Sequence, residues 1–356
     1  NVNYEIDLWG RLSSLRSAAD WETRATAADF EAASIALAAT TATLYWRAGL
    51  LNQLIDLSGQ SLADARRTLA LVGARHHAGA ASGLDLAQAQ QQLAALEAER
   101  TALDQERNVN RQALAILFNR PPEHGAAEPA GLPANALPRI APGIPAAVIG
   151  RRPDVRQAEA RLHAALAQSD ASRASFYPRL TLTGMVGTGS AALASLLRDP
   201  TALLGAGLSL PFLQWNTARL TIQVSQNEYE ETVVRYRQSL YTAFAEVENA
   251  LSDHAGLDLR SQHLDESLRA ASRAERLAAA RYRTGATALQ PWLDAKEKQR
   301  TAAVAAARNR FDRLVNIATL YKALGGPPVE AGALADASSV LRGRKSSLPE
   351  HGSGGS

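Results

Sequence analysis

The fold of this chain is constrained most strongly by a sequence pattern that occurs twice. Each copy places a glycine turn between two long helical patterns, and Gly79 and Gly285 lie 206 positions apart. Other landmarks share this offset, namely Trp9 and Trp215, Arg75 and Arg281, and Pro121-Pro122 and Pro327-Pro328. An offset held over such a length indicates an internal two-fold repeat.

The turn of the second copy lies within residues 281–294. Tyr282 and Arg283 close the incoming helix, and Gly285 can adopt the left-handed conformation that ends a helix. Gly79 occupies the same place in the first copy. The pattern therefore predicts two helical hairpins.

Helical periodicity extends far on both sides of these turns. It predicts helices over residues 12–72, 86–118, 215–281 and 289–324, and a shorter helix with Pro153 in its first turn. Within 215–281, a helix that Gly256 could interrupt, the apolar residues follow an eleven-residue repeat. This period favours helices packed side by side into a cylinder, although an ordinary extended coiled coil fits it equally well.

Two segments change from the helical period to strict alternation, residues 179–188 and 203–212. About ten alternating residues is the length of a tilted strand that crosses a bilayer. A soluble two-stranded ribbon is the simpler interpretation of these segments taken alone. Residues 1–10 alternate in the same way and predict a further strand.

Proline marks the boundary between the two copies. Residues 121–145 hold seven of the 15 prolines, a density that is incompatible with a helix. We therefore divide the chain into a first repeat (1–122), an extended linker (123–142), a second repeat (143–328) and a disordered tail (329–356).

Composition limits the function classes. Hydrophobic residues make up 46% of the chain but aromatic residues only 5%, which is typical of long helices packed through small side chains. The absence of cysteine excludes disulfides and thiolate metal sites, and a formal charge of +3 with interspersed acids does not predict nucleic-acid binding. No catalytic motif is recognisable, so neither an enzyme nor a cofactor is expected. The pair His76-His77 lies at a helix end, where a cap or solvated role fits better than metal binding.

Several motifs occur in a fixed order along the chain. They are Tyr4-Glu-Ile-Asp-Leu-Trp-Gly-Arg11, Arg151-Arg-Pro-Asp-Val-Arg-Gln-Ala-Glu159, Ser175-Phe-Tyr-Pro178 with Leu180-Thr-Leu-Thr-Gly184, and Tyr282-Arg-Thr-Gly285 with Leu293-Asp-Ala295. In this order they resemble the TolC-type outer-membrane efflux channels, and the OprM-like lipoprotein branch most closely. The resemblance covers roughly residues 1–328.

This resemblance implies a mostly α protein with a small β part. Three copies would form a homotrimer, in which each chain gives four strands to one twelve-stranded β-barrel in the outer membrane of a Gram-negative bacterium. The long helical hairpins would form a periplasmic α-barrel continuous with it, so that most of the chain lies in the periplasm. Such a duct contacts outer-membrane lipid and serves an inner-membrane efflux pump through a periplasmic adaptor (membrane fusion) protein.

The resemblance also implies a segment before Asn1. Family members carry a first-repeat equivalent of residues 143–207, a signal peptide and, in this branch, a lipid-bearing cysteine. We therefore expect an N-terminally truncated chain with two whole strands and the end of a third. The apolar stripes at 229–251 and 30–55 are too long to be buried within one chain. They predict a trimer once the segment is restored, and a poor trimer yield without it.

The family places acidic residues near the periplasmic tip, which makes Asp294 and Asp85 the predicted gate residues. Asp85 lies at a helix start, where an interaction with the helix dipole explains it equally well. Gln290 occupies a position that is often a bulky apolar gate in the OprM-like branch. A polar glutamine here does not favour a hydrophobic constriction at this position.

The glycine turns are the predicted adaptor-docking sites. Small residues permit a close backbone approach, and the predicted set is Gly79, Ala80, Tyr282, Arg283 and Gly285. The glycines could equally serve only as helix caps.

The main alternative function is a periplasmic coiled-coil structural or adaptor protein without a pore. In an adaptor, lipoyl-like and barrel segments should follow the helical hairpin. The strands predicted at 179–188 and 203–212 favour the channel instead.

Overall fold

The computed structural model describes residues 1–121, 123, 127–133, 149–188 and 200–326. The predicted tail (329–356) and most of the predicted linker (123–142) lie outside these residues. The described part is mostly helical, with one small sheet. Its elements in chain order are β1 (Val2–Ile6), α1 (Arg11–His77), α2 (Gly83–Leu117), α3 (Pro153–Ala174), β2 (Arg179–Thr188), β3 (Pro200–Ser209), α4 (Trp215–Arg283) and α5 (Gln290–Ala323). None of the described helices has a stretch long and apolar enough to cross a membrane.

Gly256 does not interrupt α4, which runs through this residue without a break, as the nearly continuous helical pattern predicts. A single glycine costs only about 1 kcal/mol in a helix. Side chains from α5 hold α4 on both sides of it. Asn316 donates a hydrogen bond to the carbonyl oxygen of Ala250, and Asn309 donates one to that of Leu257.

The third strand begins and ends three residues before the predicted segment, at 200–209 instead of 203–212. Pro211 begins a one-turn 3-10 helix that ends at Leu213. Because proline has no N–H group to donate, the strand ladder cannot continue through it.

The sheet is antiparallel and its order is β1-β2-β3, so β2 is the central strand. Val2 lies opposite Gly184, which in turn lies opposite Leu204. Alternation then places the even-numbered residues of all three strands on one face. This face is apolar and contains Val2, Tyr4, Ile6, Leu180, Leu182, Leu204, Ala206 and Leu208. The other face carries mainly polar or small residues, including Asn3, Glu5, Thr181, Thr183, Gly205 and Gly207.

The helix α1 is central to the helical part. It packs against α2, α3 and α5, while α4 packs against α3 and α5. Buried alanines on α1, such as Ala25, Ala28 and Ala48, let the neighbouring helices approach closely. This packing agrees with the composition, which is rich in small residues and poor in aromatic ones.

A buried arginine joins three helices beside the start of α3. Arg152 is 3% exposed, and its guanidinium donates hydrogen bonds to the carbonyl oxygens of Ala243 and Ala323. It also donates to the carboxylates of Asp154 and Glu246. Burial raises the pKa of Asp154, but the bonds and charge of Arg152 outweigh this effect and bring the pKa below its usual value. The Arg-Arg-Pro-Asp motif therefore anchors α3 to the second hairpin.

Each return helix is fastened to its long helix by a buried asparagine. Asn110 of α2 donates a hydrogen bond to the Leu44 carbonyl at 3.0 Å, and Asn316 of α5 donates one to the Ala250 carbonyl at 2.9 Å. Donors and acceptors of the two bonds are each 206 positions apart. Both hairpins are therefore held in the same helical register.

Candidate functional site at the hairpin tip

The two hairpin turns lie next to each other at the ends of α1 and α4 that are remote from the sheet. We call residues 75–86 and 281–294 the tip. Arg75 joins the two turns, because its guanidinium lies 4.8 Å from the centre of the Tyr282 ring and donates a 3.4 Å hydrogen bond to the Arg283 carbonyl. A side chain of the first hairpin thus helps to close the second.

The same backbone geometry closes both turns. Gly79 has a φ of 72° and Gly285 a φ of 75°, in the left-handed region that favours glycine. The closing bonds run from the Ala80 N–H to the Arg75 carbonyl and from the Ala286 N–H to the Arg281 carbonyl. Each turn is therefore a helix cap, whatever else it does.

A cluster of apolar side chains supports the tip from inside. Its buried members are Val72, Ala89, Ala279, Tyr282, Leu289, Trp292 and Leu293. The rings of Tyr282 and Trp292 stack with centres 5.1 Å apart, and the Trp292 indole N–H donates to Glu275. Tyr282 is 5% exposed, so its ring belongs to this core. The other members of the predicted docking set are exposed.

The carboxylate of the predicted gate residue Asp85 is already hydrogen-bonded at the start of α2. The carboxylate accepts hydrogen bonds from the Ser82 N–H and hydroxyl, and the Ser82 hydroxyl accepts one from the Asp85 N–H. This is a reciprocal capping box. This geometry supports the interpretation of Asp85 as a residue that stabilises the start of α2.

The predicted gate residue Asp294 is exposed on the first turns of α5. Its carboxylate accepts a 2.7 Å hydrogen bond from the Gln290 side chain, one helical turn earlier. The structure thus brings together two of the three predicted gate residues and leaves Asp85 in its own cap. The surface at Gln290 and Asp294 is polar.

Ion pairs connect the two hairpins behind the tip. Arg300 of α5 forms bonds with Glu99 of α2 and with Glu297 of its own helix, and Lys296 lies 3.6 Å from Asp64 of α1. The hydrogen bond from Arg300 is the main cause that lowers the pKa of Glu297. Asp64, Lys296, Glu297 and Arg300 line a cavity of about 380 Å³ between the hairpins.

The two histidines of the tip bind backbone carbonyls. The Nδ1 atoms lie 3.0 Å from the Ala81 oxygen for His76 and 2.6 Å from the Gly73 oxygen for His77. This geometry agrees with the predicted cap role. No group of three metal-ligating side chains occurs in the described part of the chain.

Comparison with known proteins identifies the family. The sequence model of the outer membrane efflux protein family matches residues 1–120 and 144–326. The pyoverdine export outer membrane protein OpmQ of Pseudomonas putida is 34% identical over 326 residues, which cover 92% of this chain and 69% of that protein. The outer membrane protein OprJ of Pseudomonas aeruginosa is 32% identical over 91% of this chain and 68% of its own. The open-state crystal structure of the Neisseria gonorrhoeae MtrE outer membrane channel superposes with a TM-score of 0.80, at 32% identity over 91% of this chain and 74% of that one.

The chain belongs to the outer membrane efflux protein family. It is an outer-membrane efflux protein of a Gram-negative bacterium. The resemblance inferred from the motifs is confirmed. Membership also decides against the alternative of an adaptor without a pore.

Sequence reasoning about this efflux protein missed the side chains that connect the hairpins. Arg75 and Tyr282 are 207 positions apart, and Arg300 and Glu99 are 201 positions apart. The only local signal was the spacing of Glu297 and Arg300, which favours an ion pair within a helix. The long-range partners depend on how the two hairpins pack.

Proposed function

We propose that this efflux protein assembles as a homotrimer with one continuous duct from the periplasm through the outer membrane. Each chain of the intact natural protein contributes four strands to a twelve-stranded β-barrel, and its hairpins line an α-barrel below. Residues 1–122 hold the end of one strand and the helical hairpin of the first repeat, and residues 143–328 hold the second repeat, joined to the first by the linker.

The observation that carries this proposal is a sheet with one exposed apolar face and two unpaired edges. Leu204 is 92% exposed and Val186 is 79% exposed on that face. Among the described residues, β1 and β3 each pair with β2 alone. In a bilayer, the free N–H and C=O groups of an edge strand find no water, so the edges need partner strands. A closed barrel with an apolar exterior meets both requirements.

Aromatic side chains mark the junction between the sheet and the helices. Trp9, Tyr177, Phe212 and Trp215 are all about half exposed or more. The Trp9 ring lies 5.1 Å from the Tyr177 ring, and its N–H donates to the Pro178 carbonyl. Aromatic girdles of this kind lie at the membrane–water boundary of outer-membrane barrels. We therefore put the membrane boundary at this junction.

The helices support the trimer through apolar side chains that their own chain leaves uncovered. Phe30 and Leu37 on α1 are 68% and 52% exposed, and Val234 and Tyr241 on α4 are 64% and 67% exposed. Neighbouring subunits of a cylinder would cover these residues.

The proposed gate lies at the tip. Three copies of Asp294, each with a Gln290 side chain bonded to it, would form a polar constriction near the trimer axis. A ring of carboxylates attracts cations and obstructs anions. We assign Asp85 a weaker gate role, because its carboxylate already caps α2.

The proposed adaptor contact is the exposed part of the two turns. Gly79, Ala80 and Gly285 carry little or no side chain, so a partner backbone can approach them closely. Tyr282 supports this surface from inside, and Arg283 lies at its edge.

Two measurements test this function in the intact natural protein. Native mass spectrometry in detergent is expected to give three chains, and a uniform monomer would contradict the assembly. Gly285→Asn keeps a residue that tolerates the left-handed conformation but adds bulk. We expect it to remove cross-linking to the adaptor and to leave the trimer intact, whereas Gly256→Asn, in the middle of α4 with open space around it, is expected to keep both.

A further inference from the structure

The charges at the tip divide into engaged and unengaged groups. The tip contains three arginines and two aspartates. Arg75 is engaged by Tyr282 and the Arg283 carbonyl, Asp85 by the cap of α2, and Asp294 by Gln290.

The two remaining arginines point to solvent. Arg281 and Arg283 are exposed, and their side chains form no hydrogen bond or ion pair with any residue that the structure describes. They flank the buried Tyr282, so they lie on either side of the support for the second turn. The charged side chains beside Gly285 that have no partner in the described part of the protein are therefore both positive, while the carboxylate of Asp294 lies on α5.

A helix dipole explains part of this pattern, because cations near a helix C-terminus are stabilising. It does not require that both guanidiniums stay unpaired beside a turn of small residues. Gly285 and Ala286 follow directly and are exposed, so a second polypeptide can come close enough to pair with the arginines. A surface with free guanidiniums and little steric obstruction is complementary to carboxylates.

We propose that the docking partner carries aspartate or glutamate at the end of a helical hairpin, and that Arg281 and Arg283 bind these carboxylates. The proposal rests on the adaptor-docking role of the tip. Arg75 is a positioning residue, because it bonds the carbonyl of Arg283 and fixes the second turn against the first. The partner is a protein, since the small turn residues matter only to a surface that approaches the backbone closely.

Charge reversal with a genetic suppressor search tests this proposal in cells that make the intact natural protein and its adaptor. A photo-cross-linking residue at Ala286 reports docking. The double variant Arg281→Glu/Arg283→Glu is expected to lower the yield of cross-linked adaptor at least about tenfold, because opposed like charges disfavour association. Arg260→Glu, an exposed arginine about 32 Å up the same helix and away from the face of Val234 and Tyr241, is the matched control and should leave the yield unchanged.

Suppressor mutations then reveal the chemistry of the partner. We expect them to replace an acidic residue at the adaptor's hairpin end by lysine or arginine. Unchanged cross-linking in the double variant, or suppressors that change only apolar or basic residues, would overturn the proposal. Binding of the purified protein to phosphatidylglycerol vesicles that disappears in the double variant, with normal adaptor cross-linking, would overturn it in favour of a lipid surface.

A milder variant guards against misfolding. Arg281→Gln/Arg283→Gln removes the charges without reversing them, and it should lower cross-linking less while the trimer mass stays unchanged. Loss of cross-linking in Gly285→Asn but not in either arginine variant would contradict only the charge proposal. Retention in all three would contradict docking at the tip itself.

Discussion

The first hairpin, α1 and α2, and the second, α4 and α5, follow one backbone plan with different side chains. The long helices end at His77 and Arg283, which are 206 positions apart, and the return helices end at Leu117 and Ala323 with the same separation. The turns nevertheless close differently. The first uses the capping box of Ser82, whereas the second uses stacked aromatic rings and a proline in the first turn of α5.

This comparison separates the features that any such hairpin needs for its backbone fold from the features that are available for a functional site. The left-handed glycine and the return-helix asparagine occur in both hairpins, so they serve the backbone plan. Asp85 and Asp294 do not occupy equivalent positions in the two hairpins, and their carboxylates differ in hydrogen bonding and exposure. Asp85 is bound within its own cap, while Asp294 bonds only Gln290 and stays exposed. The second hairpin is therefore the better candidate for the gate.

Removing the aromatic support should produce the largest effect. Trp292→Ala loses the Tyr282 stack and the bond to Glu275, and we expect a loss of about 3–5 kcal/mol in unfolding free energy. Leu86, at the equivalent position of the first hairpin, is only partly buried, so Leu86→Ala should cost less than half as much. Urea unfolding followed by far-UV circular dichroism compares them, and equal losses would show that the turns are closed alike.

The two return-helix asparagines, Asn110 and Asn316, should differ by a smaller amount in their contribution to the unfolding free energy. The side-chain Oδ1 atom of Asn316 lies 3.2 Å from Nδ1 of His254. The side-chain Oδ1 atom of Asn110, by contrast, has no hydrogen-bond partner in the described part of the protein. We expect Asn316→Ala to cost about 2 kcal/mol and Asn110→Ala about 1 kcal/mol. The same unfolding assay measures both, and a larger cost for Asn110→Ala would reverse the comparison.

The smallest predicted effect depends on pH. The pKa of Glu297 is lowered from 4.5 in the folded protein, chiefly by the bond from Arg300. Its stabilising contribution is therefore present above that value and disappears as the pH falls through the lower folded pKa. Glu297→Gln should cost about 1 kcal/mol or less at pH 7, since the pair is partly exposed, and nothing at low pH. A difference in unfolding free energy between the natural protein and Glu297→Gln that grows as the pH falls would contradict this assignment.

Much of the fold could be predicted from the sequence because its signals are local. Glycine at each turn, the helical period on both sides and the alternation at 179–188 fixed the elements closely. The sequence left open whether Gly256 interrupts α4, since the bonds that Asn309 and Asn316 make to α4 are invisible in a local window.

The tip was predictable only in part, for the same reason. The local pattern predicted the turn glycines, and the family resemblance pointed to Asp294 and Gln290. The sequence could not assign Arg75 to the neighbouring turn, because that contact joins hairpins about 200 residues apart. It could not assign Tyr282 to the core either, because the members of that core come from both hairpins. Side-chain partners across a hairpin interface depend on packing, which no short-range pattern encodes.

Conductance of the intact natural protein in a planar bilayer tests the central claim most directly, that a trimeric duct is gated by the second hairpin. Asp294→Ala should lower the preference for cations and weaken block by multivalent cations, because the carboxylate ring is lost. Asp85→Ala should change both properties less, since its carboxylate caps α2. Unchanged selectivity and block in Asp294→Ala, or a larger change in Asp85→Ala, would contradict the account.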